Sequence, residues 1–324
     1  MKRGKTVRRL ILMALCLCLS LSSCAAGGKQ EATRSVTLIG KSNTTEFWKS
    51  VIAGASAAKS EYNVNLTIKT PMTEEDYQAQ NNYIEEAVAE GADAIIFSAI
   101  SYTDNADAIN EAIGKGVKVI VIDSDVDSPG VSVRIGTDNV NAGRKVAQAV
   151  LDTDQEEIYV GIVNYDVVSR NGQEREMGLR EGLAEDGRVR QVYTVNVITD
   201  QDEACQQAKD LLAEHPEINV LVGLNEPLAV GVSLAVDELG VAGKVRVVGF
   251  DTNVKCIDLM QSGVVSALIV QNPYAMGYLG VEMACAILNG ETMDSQTLMD
   301  TSTSIVTKEN MFNIESQKLL FSFG

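Results

Sequence analysis

Short β-branched runs bounded by turn residues alternate with longer stretches whose apolar positions recur at helical spacing. That alternation predicts parallel sheets with crossover helices. Val36–Gly40, Val64–Ile68, Ala94–Ser98 and Val117–Asp123 are the strands expected in the first half. Ile158–Asn164, Val192–Val197, Val220–Leu224, Val245–Asp251 and Ala267–Gln271 are those expected in the second. Runs such as Val117-Lys118-Val119-Ile120-Val121-Ile122 are nearly continuously apolar, which suits strands covered on both faces. The halves echo each other: Asp93-Ala94-Ile95-Ile96-Phe97, a helix, Gly116, a valine-rich strand and Asp123 match Asn219-Val220-Leu221-Val222, a helix, Gly243, a valine-rich strand and Asp251. We read an α/β chain of two doubly wound, Rossmann-like lobes. Asp123 and Asp251 then stand at the carboxyl ends of equivalent strands, where open α/β sheets bind ligands.

The start of the chain follows neither period. Lys2, Arg3, Lys5, Arg8 and Arg9 precede an apolar run from Leu10 to Leu21 that is too short for an ordinary transmembrane helix, the pattern of a secretory signal. Leu21-Ser22-Ser23-Cys24 reads as a lipobox, with small residues before a cysteine that would accept lipid. Residues 1–23 are therefore expected to be removed. Residues 24–34, small and polar, form a tether lipidated at Cys24 that holds the protein to the membrane from outside. Cys16 and Cys18 leave with the signal, so Cys205, Cys256 and Cys285 remain. Three widely spaced thiols supply no disulfide framework and read as buried structural residues.

Composition narrows the function. The formal charge of −17 becomes about −22 once the five basic residues of the signal are gone, which argues against nucleic acid and a polybasic membrane contact. His215 is the only histidine and precedes Pro216 near a helix end, so no zinc cluster, Ser-His-Asp or Cys-His arrangement can be assembled. Gly40-Lys41-Ser42 resembles the end of a phosphate loop, but Ser35 stands where its first glycine belongs. Without G-x-G-x-x-G there is no support for a nicotinamide cofactor either. Asp123 and Asp125 are one residue apart at a strand end, and nothing else marks a glycosidase pair. These absences point to a binding protein without cofactor or metal rather than an enzyme.

Phe47-Trp48, Gly91-Ala92-Asp93-Ala94-Ile95-Ile96, Val121-Ile122-Asp123, Gly136-Thr137-Asp138-Asn139 with Ala142-Gly143, Glu174-Arg175 with Gly178, Asn225-Glu226, Val248-Gly249-Phe250-Asp251 and Gln271 occur in that order. Each is weak alone. Together, over Val36 to about Ile305, the chain resembles the ribose-type family of type I periplasmic solute-binding proteins, the receptors of sugar ABC transporters. The resemblance implies an amino-terminal lobe of residues 35–137 plus 272–301 and a carboxy-terminal lobe of 138–271 plus 302–324. A three-segment hinge carrying Asp138 and Gln271 would join them and close around ligand.

Ligand positions follow one by one from the same resemblance. Phe47 and Trp48 match aromatics that stack on a sugar ring, and Asp123, Asn225, Asp251 and Gln271 match polar residues that exchange hydrogen bonds with hydroxyls. Capping of the following helix is the competing role for the polar set, most of all for Asp251. The departures fall at Ser124 and Gln173, where the family carries arginines, and at Thr45 and near Thr199, where it carries an asparagine and an aromatic. Lys41 and Arg170 are candidate replacement cations, with ordinary surface roles equally open. Lysine with Asp-Ser-Asp also resembles the branch that binds the furanosyl signal autoinducer-2. The expected ligand is thus a sugar or related polyol, and the expected protein partner the transmembrane subunits of an ABC permease. A ligand-sensing lipoprotein that signals to a membrane kinase or chemoreceptor is the alternative. The chain is expected to act as a monomer.

Overall fold

A computed structural model describes residues 33–165, 168–293 and 298–321. The signal, Cys24 and all but the end of the tether lie outside the described residues. Arg34–Gly324 form one compact unit. No helix among the described residues is long and apolar enough to cross a membrane.

Two sheets organise this unit. The first, in order β11-β5-β4-β3-β1-β2, contains β1 (Ser35–Ile39), β2 (Asn65–Lys69), β3 (Ala94–Phe97), β4 (Lys118–Ile122), β5 (Val133–Gly136) and β11 (Leu298–Asp300), all parallel. The second, in order β12-β10-β9-β8-β6-β7, contains β6 (Ile158–Tyr165), β7 (Val189–Val197), β8 (Val220–Gly223), β9 (Arg246–Phe250), β10 (Val265–Val270) and β12 (Ser304–Thr307). Only β12 runs antiparallel to its neighbour, β10. The expected doubly wound α/β architecture is the one observed.

All nine expected strands are present, with ends shifted by a few residues. The three unexpected ones, β5, β11 and β12, are short and lack an uninterrupted apolar run: Val-Arg-Ile-Gly, Leu-Met-Asp and Ser-Ile-Val-Thr. They form because neighbouring strands offer unpaired backbone, not because their own side chains demand a sheet. The chain passes from one sheet to the other after β5, β10 and β11.

Ten helices cover the sheets among the described residues: α1 (Glu46–Glu61), α2 (Tyr77–Ala89), α3 (Ala106–Gly114), α4 (Asn139–Leu151), α5 (Arg170–Ala184), α6 (Gln201–Glu214), α7 (Glu226–Glu238), α8 (Val254–Ser262), α9 (Pro273–Leu288) and α10 (Ile314–Leu320). After β10 the chain returns to the first lobe, where α9 packs on α1 and against β3, β4 and β5. In the second lobe α4 packs on α5 in the same manner. Both crossings are close. A Cβ on Gly277 would stand 1.9 Å from the Val51 carbonyl oxygen, and one on Gly178 would stand 1.9 Å from that of Val140. Backbone, not a flexible side chain, fills the space, so alanine at either position must push the helices apart.

The core is mainly apolar, with Ile95, Ile96, Val119 and Ile120 in one lobe and Val160, Ile162, Val222 and Val247 in the other fully buried. Cys205, Cys256 and Cys285 are buried and unpaired. His215 ends α6, where its ring stacks on Tyr193 with centroids 3.7 Å apart.

Candidate functional site

The two strand-end aspartates repeat each other in detail. Asp123 follows β4 and Asp251 follows β9, and both adopt a left-handed backbone, with φ of 57° and 69°. Non-glycine residues seldom take this conformation, and it turns the chain sharply out of the sheet. Each is held from the next strand: the Asp123 amide donates to the Ile135 carbonyl at 3.0 Å, and the Asp251 amide to that of Ile269 at 2.8 Å. Asp251 does not cap the following helix, because Asn253 takes that position and accepts from the Lys255 amide.

Both side chains line one cavity between the lobes, with Lys41, Thr45, Phe47, Trp48, Glu74, Tyr165, Asn171, Arg175, Asn225, Glu226, Pro227 and Gln271. Its volume is about 30 Å³ with the lobes as they stand, room for one or two waters. The lobes meet across it, with Lys41 donating to Ser169 and the Phe47 amide to Glu226. A larger hollow of about 380 Å³ lies beyond Asp251 and Gln271, between α1, α8 and the C-terminal helix, with a mostly apolar lining. The smaller cavity is the better candidate because buried polar groups from both lobes converge there.

The surroundings of the two aspartates differ. Asp123 accepts from Ser98 Oγ at 2.9 Å and from Asn171 Nδ2 at 3.2 Å, and Lys41 Nζ stands 3.8 Å away, with both side chains of the ion pair buried. Lys41 also donates to Ser169 Oγ of the other lobe at 3.0 Å. Among the described residues the Asp251 side chain accepts a single hydrogen bond, from Gln271 Nε2 at 2.7 Å. Burial pushes its carboxyl up to about 7, against the opposing pull of Arg175 and the Gln271 bond. Gln271 is itself fixed by Thr137 Oγ1 at 2.7 Å and Arg175 Nη2 at 3.2 Å, both donating to its Oε1.

Several cavity residues were not among the sequence candidates. Glu74, in the loop after β2, accepts from the Trp48 indole N–H at 2.9 Å, and burial pushes its carboxyl up to about 7. The Tyr165 hydroxyl, at the end of β6, is buried without a partner among the described residues. Arg175 is 2% exposed. It donates to Asn139 Oδ1, the Leu224 carbonyl and Gln271, and its guanidinium lies 3.9 Å over the Phe250 ring. Arg175 had a legible signal: with Gly178 and Leu179 it falls on the buried face of α5. Glu74 had none, since its loop is acidic and without period.

Of the sequence candidates, Lys41, Thr45, Phe47, Trp48, Asp123, Asn225, Asp251 and Gln271 line the cavity. Thr45 and Asn225 also cap α1 and α7 by accepting from the amides of Trp48 and Leu228, so they serve two roles at once. Trp48 is 2% exposed and belongs to the core as much as to the cavity. The other four candidates lie elsewhere. Ser124 is buried behind Asp123, and Gln173 is exposed on α5. Arg170 pairs with Glu174 at 2.7 Å and covers the Tyr102 ring outside the cavity. Thr199 meets the other lobe through its amide, which donates to Glu75 at 2.8 Å.

That last contact has a counterpart. The Glu226 carboxylate, in the second lobe, accepts from the Glu46 and Phe47 amides at the start of α1 at 3.1 and 2.8 Å, and from Asn253 at 2.9 Å. Each lobe thus offers a glutamate to backbone N–H groups that precede or open a helix of the other, where the helix dipole favours negative charge.

Residues 36–292 match the family model of the periplasmic binding protein domain. The D-ribose/D-allose-binding protein of Pseudomonas aeruginosa is 25% identical over 320 residues, covering 95% of this chain and 99% of that one. A carbohydrate transporter solute binding protein from Agrobacterium radiobacter, solved in complex with D-arabinose, superposes with a TM-score of 0.86 at 29% identity, covering 90% of this chain and all of the other. An ABC transporter solute binding protein from Agrobacterium vitis with bound D-fucose gives 0.84 at 27% identity, covering 89% of this chain and all of its own.

Proposed function

The chain belongs to the periplasmic binding protein family, with the ribose-type sugar binders as its relatives, and from that premise we propose that it captures a sugar or related polyol in the interlobe cavity and delivers it to an ABC permease. The observation that carries this reading is the convergence of Asp123, Asp251, Asn225 and Gln271 with Phe47 and Trp48 on one buried cavity at the carboxyl ends of both sheets. Carboxylates accept from hydroxyls, amides donate and accept, and aromatic faces meet C–H faces, which together suit a polyol.

In this reading the lobes are residues 35–137 plus 272–301 and 138–271 plus 302–324, hinged near Asp138 and Gln271. Ligand binds to the open form, and closure across Glu226, Glu75 and Lys41 traps it. The closed surface is what the permease recognises. No covalent step is required. Cys24 carries the lipid anchor that keeps the protein outside the cell membrane as a monomer.

A thermal-shift screen of pentoses, hexoses, polyols and autoinducer-2 tests the binding claim, because a ligand that prefers the native state raises its melting temperature by mass action. Autoinducer-2 belongs in the screen because Lys41 and Asp123 meet at the cavity. At least one sugar or polyol should raise the melting temperature and be recovered chemically unchanged at one per chain. A chemically altered product, or no response across the screen, contradicts the proposal. Replacing Cys24 should move the protein from the membrane fraction to the medium or periplasm.

A further inference from the structure

The cavity lining contains four carboxylates, Glu74, Asp123, Glu226 and Asp251, against two cations, Lys41 and Arg175. Two of the carboxylates have their needs met. Asp123 has Lys41, Ser98 and Asn171, and Glu226 has three N–H donors. Glu74 and Asp251 each have one hydrogen bond, from the Trp48 indole and the Gln271 amide, and each keeps one oxygen uncommitted among the described residues.

Among the described residues neither cation hydrogen-bonds to these two. Arg175 directs its donors to Asn139, the Leu224 carbonyl and Gln271 and packs its face on Phe250. Lys41 donates to Ser169 and stands beside Asp123, and it reaches Glu74 only through space. A separate observation points into the same cavity: the Tyr165 hydroxyl, on a residue 3% exposed, has no hydrogen-bond partner among the described residues. Asp251 is buried and Glu74 half-buried; a carboxylate withdrawn from water and left short of donors is costly, and the upward shift of both groups to about 7 has desolvation as its largest cause.

We infer that the ligand carries a protonated amine, so that the substrate class is an amino sugar or amino polyol, and that Glu74, held in place by the Trp48 indole, determines this specificity. An ammonium supplies donors and a positive charge together, where a hydroxyl supplies one donor and no charge. It offsets the excess of negative charge that the closed lobes enclose. The inference rests on the interlobe cavity being the sugar site.

The test compares matched ligands that differ only in the amine: D-glucosamine with D-glucose, D-galactosamine with D-galactose, and glucamine with sorbitol. Affinities for the mature full-length protein are measured by calorimetry and melting temperature at pH 7. The amine member of at least one pair should bind at least tenfold tighter than its neutral partner. Glu74→Gln, which keeps size and an acceptor for Trp48, should shrink that ratio several-fold. Equal or tighter binding of the neutral partners in every pair overturns the inference while leaving the sugar-binding proposal standing, as does an undiminished ratio in Glu74→Gln. If no amine and no sugar or polyol of the wider screen binds, the sugar-binding proposal falls and the inference falls with it. The wild-type comparison decides the question even if the variant does not fold.

Discussion

Asp123 and Asp251 occupy equivalent places in two similar lobes, with the same left-handed backbone and the same bond to the following strand, yet their surroundings are opposite in kind. Asp123 is compensated by a buried lysine and two neutral donors. Asp251 has one amide donor and a carboxyl that burial raises to about 7. The doubled fold sets where a strand-end acid stands. The loops, which differ between the lobes, set what that acid does. One aspartate has its charge and hydrogen-bonding capacity met by the protein, and the other has one amide donor among the described residues.

Matched substitutions should break this pair apart. Asp123→Asn leaves Lys41 buried without its counter-ion and should cost about 3 kcal/mol of stability in the ligand-free protein, read by denaturant unfolding. Asp251→Asn keeps an acceptor for Gln271 and removes a carboxylate that the fold disfavours, so the ligand-free protein should gain up to about 4 kcal/mol at pH 7. Equal changes of the same sign would refute the contrast.

The pH dependence sharpens it further. A carboxyl raised from 3.8 to about 7 binds its proton more tightly in the folded state, so between those values the native protein holds more protons than the unfolded chain. The contribution of Asp251 therefore falls as pH rises from about 4 to about 7, by at most about 1.4 kcal/mol per pH unit. The advantage of Asp251→Asn over wild type should be near zero at the acid end and grow toward pH 7. A constant difference would mean that Asp251 does not titrate in that window. The smallest expected effect is at the lobe contact. Glu226→Gln weakens the carboxylate bonds to the first amides of α1 and should reduce ligand affinity several-fold, by about 1 kcal/mol, through a less stable closed form.

The same comparison shows what a sequence can reveal here. Central strands such as Val119–Ile122 and Val245–Asp251 announce themselves because their own side chains require burial on both faces. β5, β11 and β12 do not, because they are short and stand at or next to a sheet edge, where pairing with a neighbour rather than burial on both faces holds them. Strand-end residues were legible for a related reason: Asp123, Asn225, Asp251 and Gln271 are positioned by the sheets themselves. Glu74 comes from a loop whose path depends on long-range packing, and Tyr165 ends a strand whose aromatic side chain reads as core. Gln173 shows the converse, since matching along α5 placed a candidate on the solvent face while Arg175, two positions on, turned inward.

The most direct test of the account is ligand-induced stabilisation with and without the uncompensated aspartate. Whichever sugar, amino sugar or polyol raises the melting temperature of the wild-type protein should leave that of a folded Asp251→Ala variant unmoved at the same concentration. An undiminished rise in the variant would contradict the placement of the ligand in the interlobe cavity.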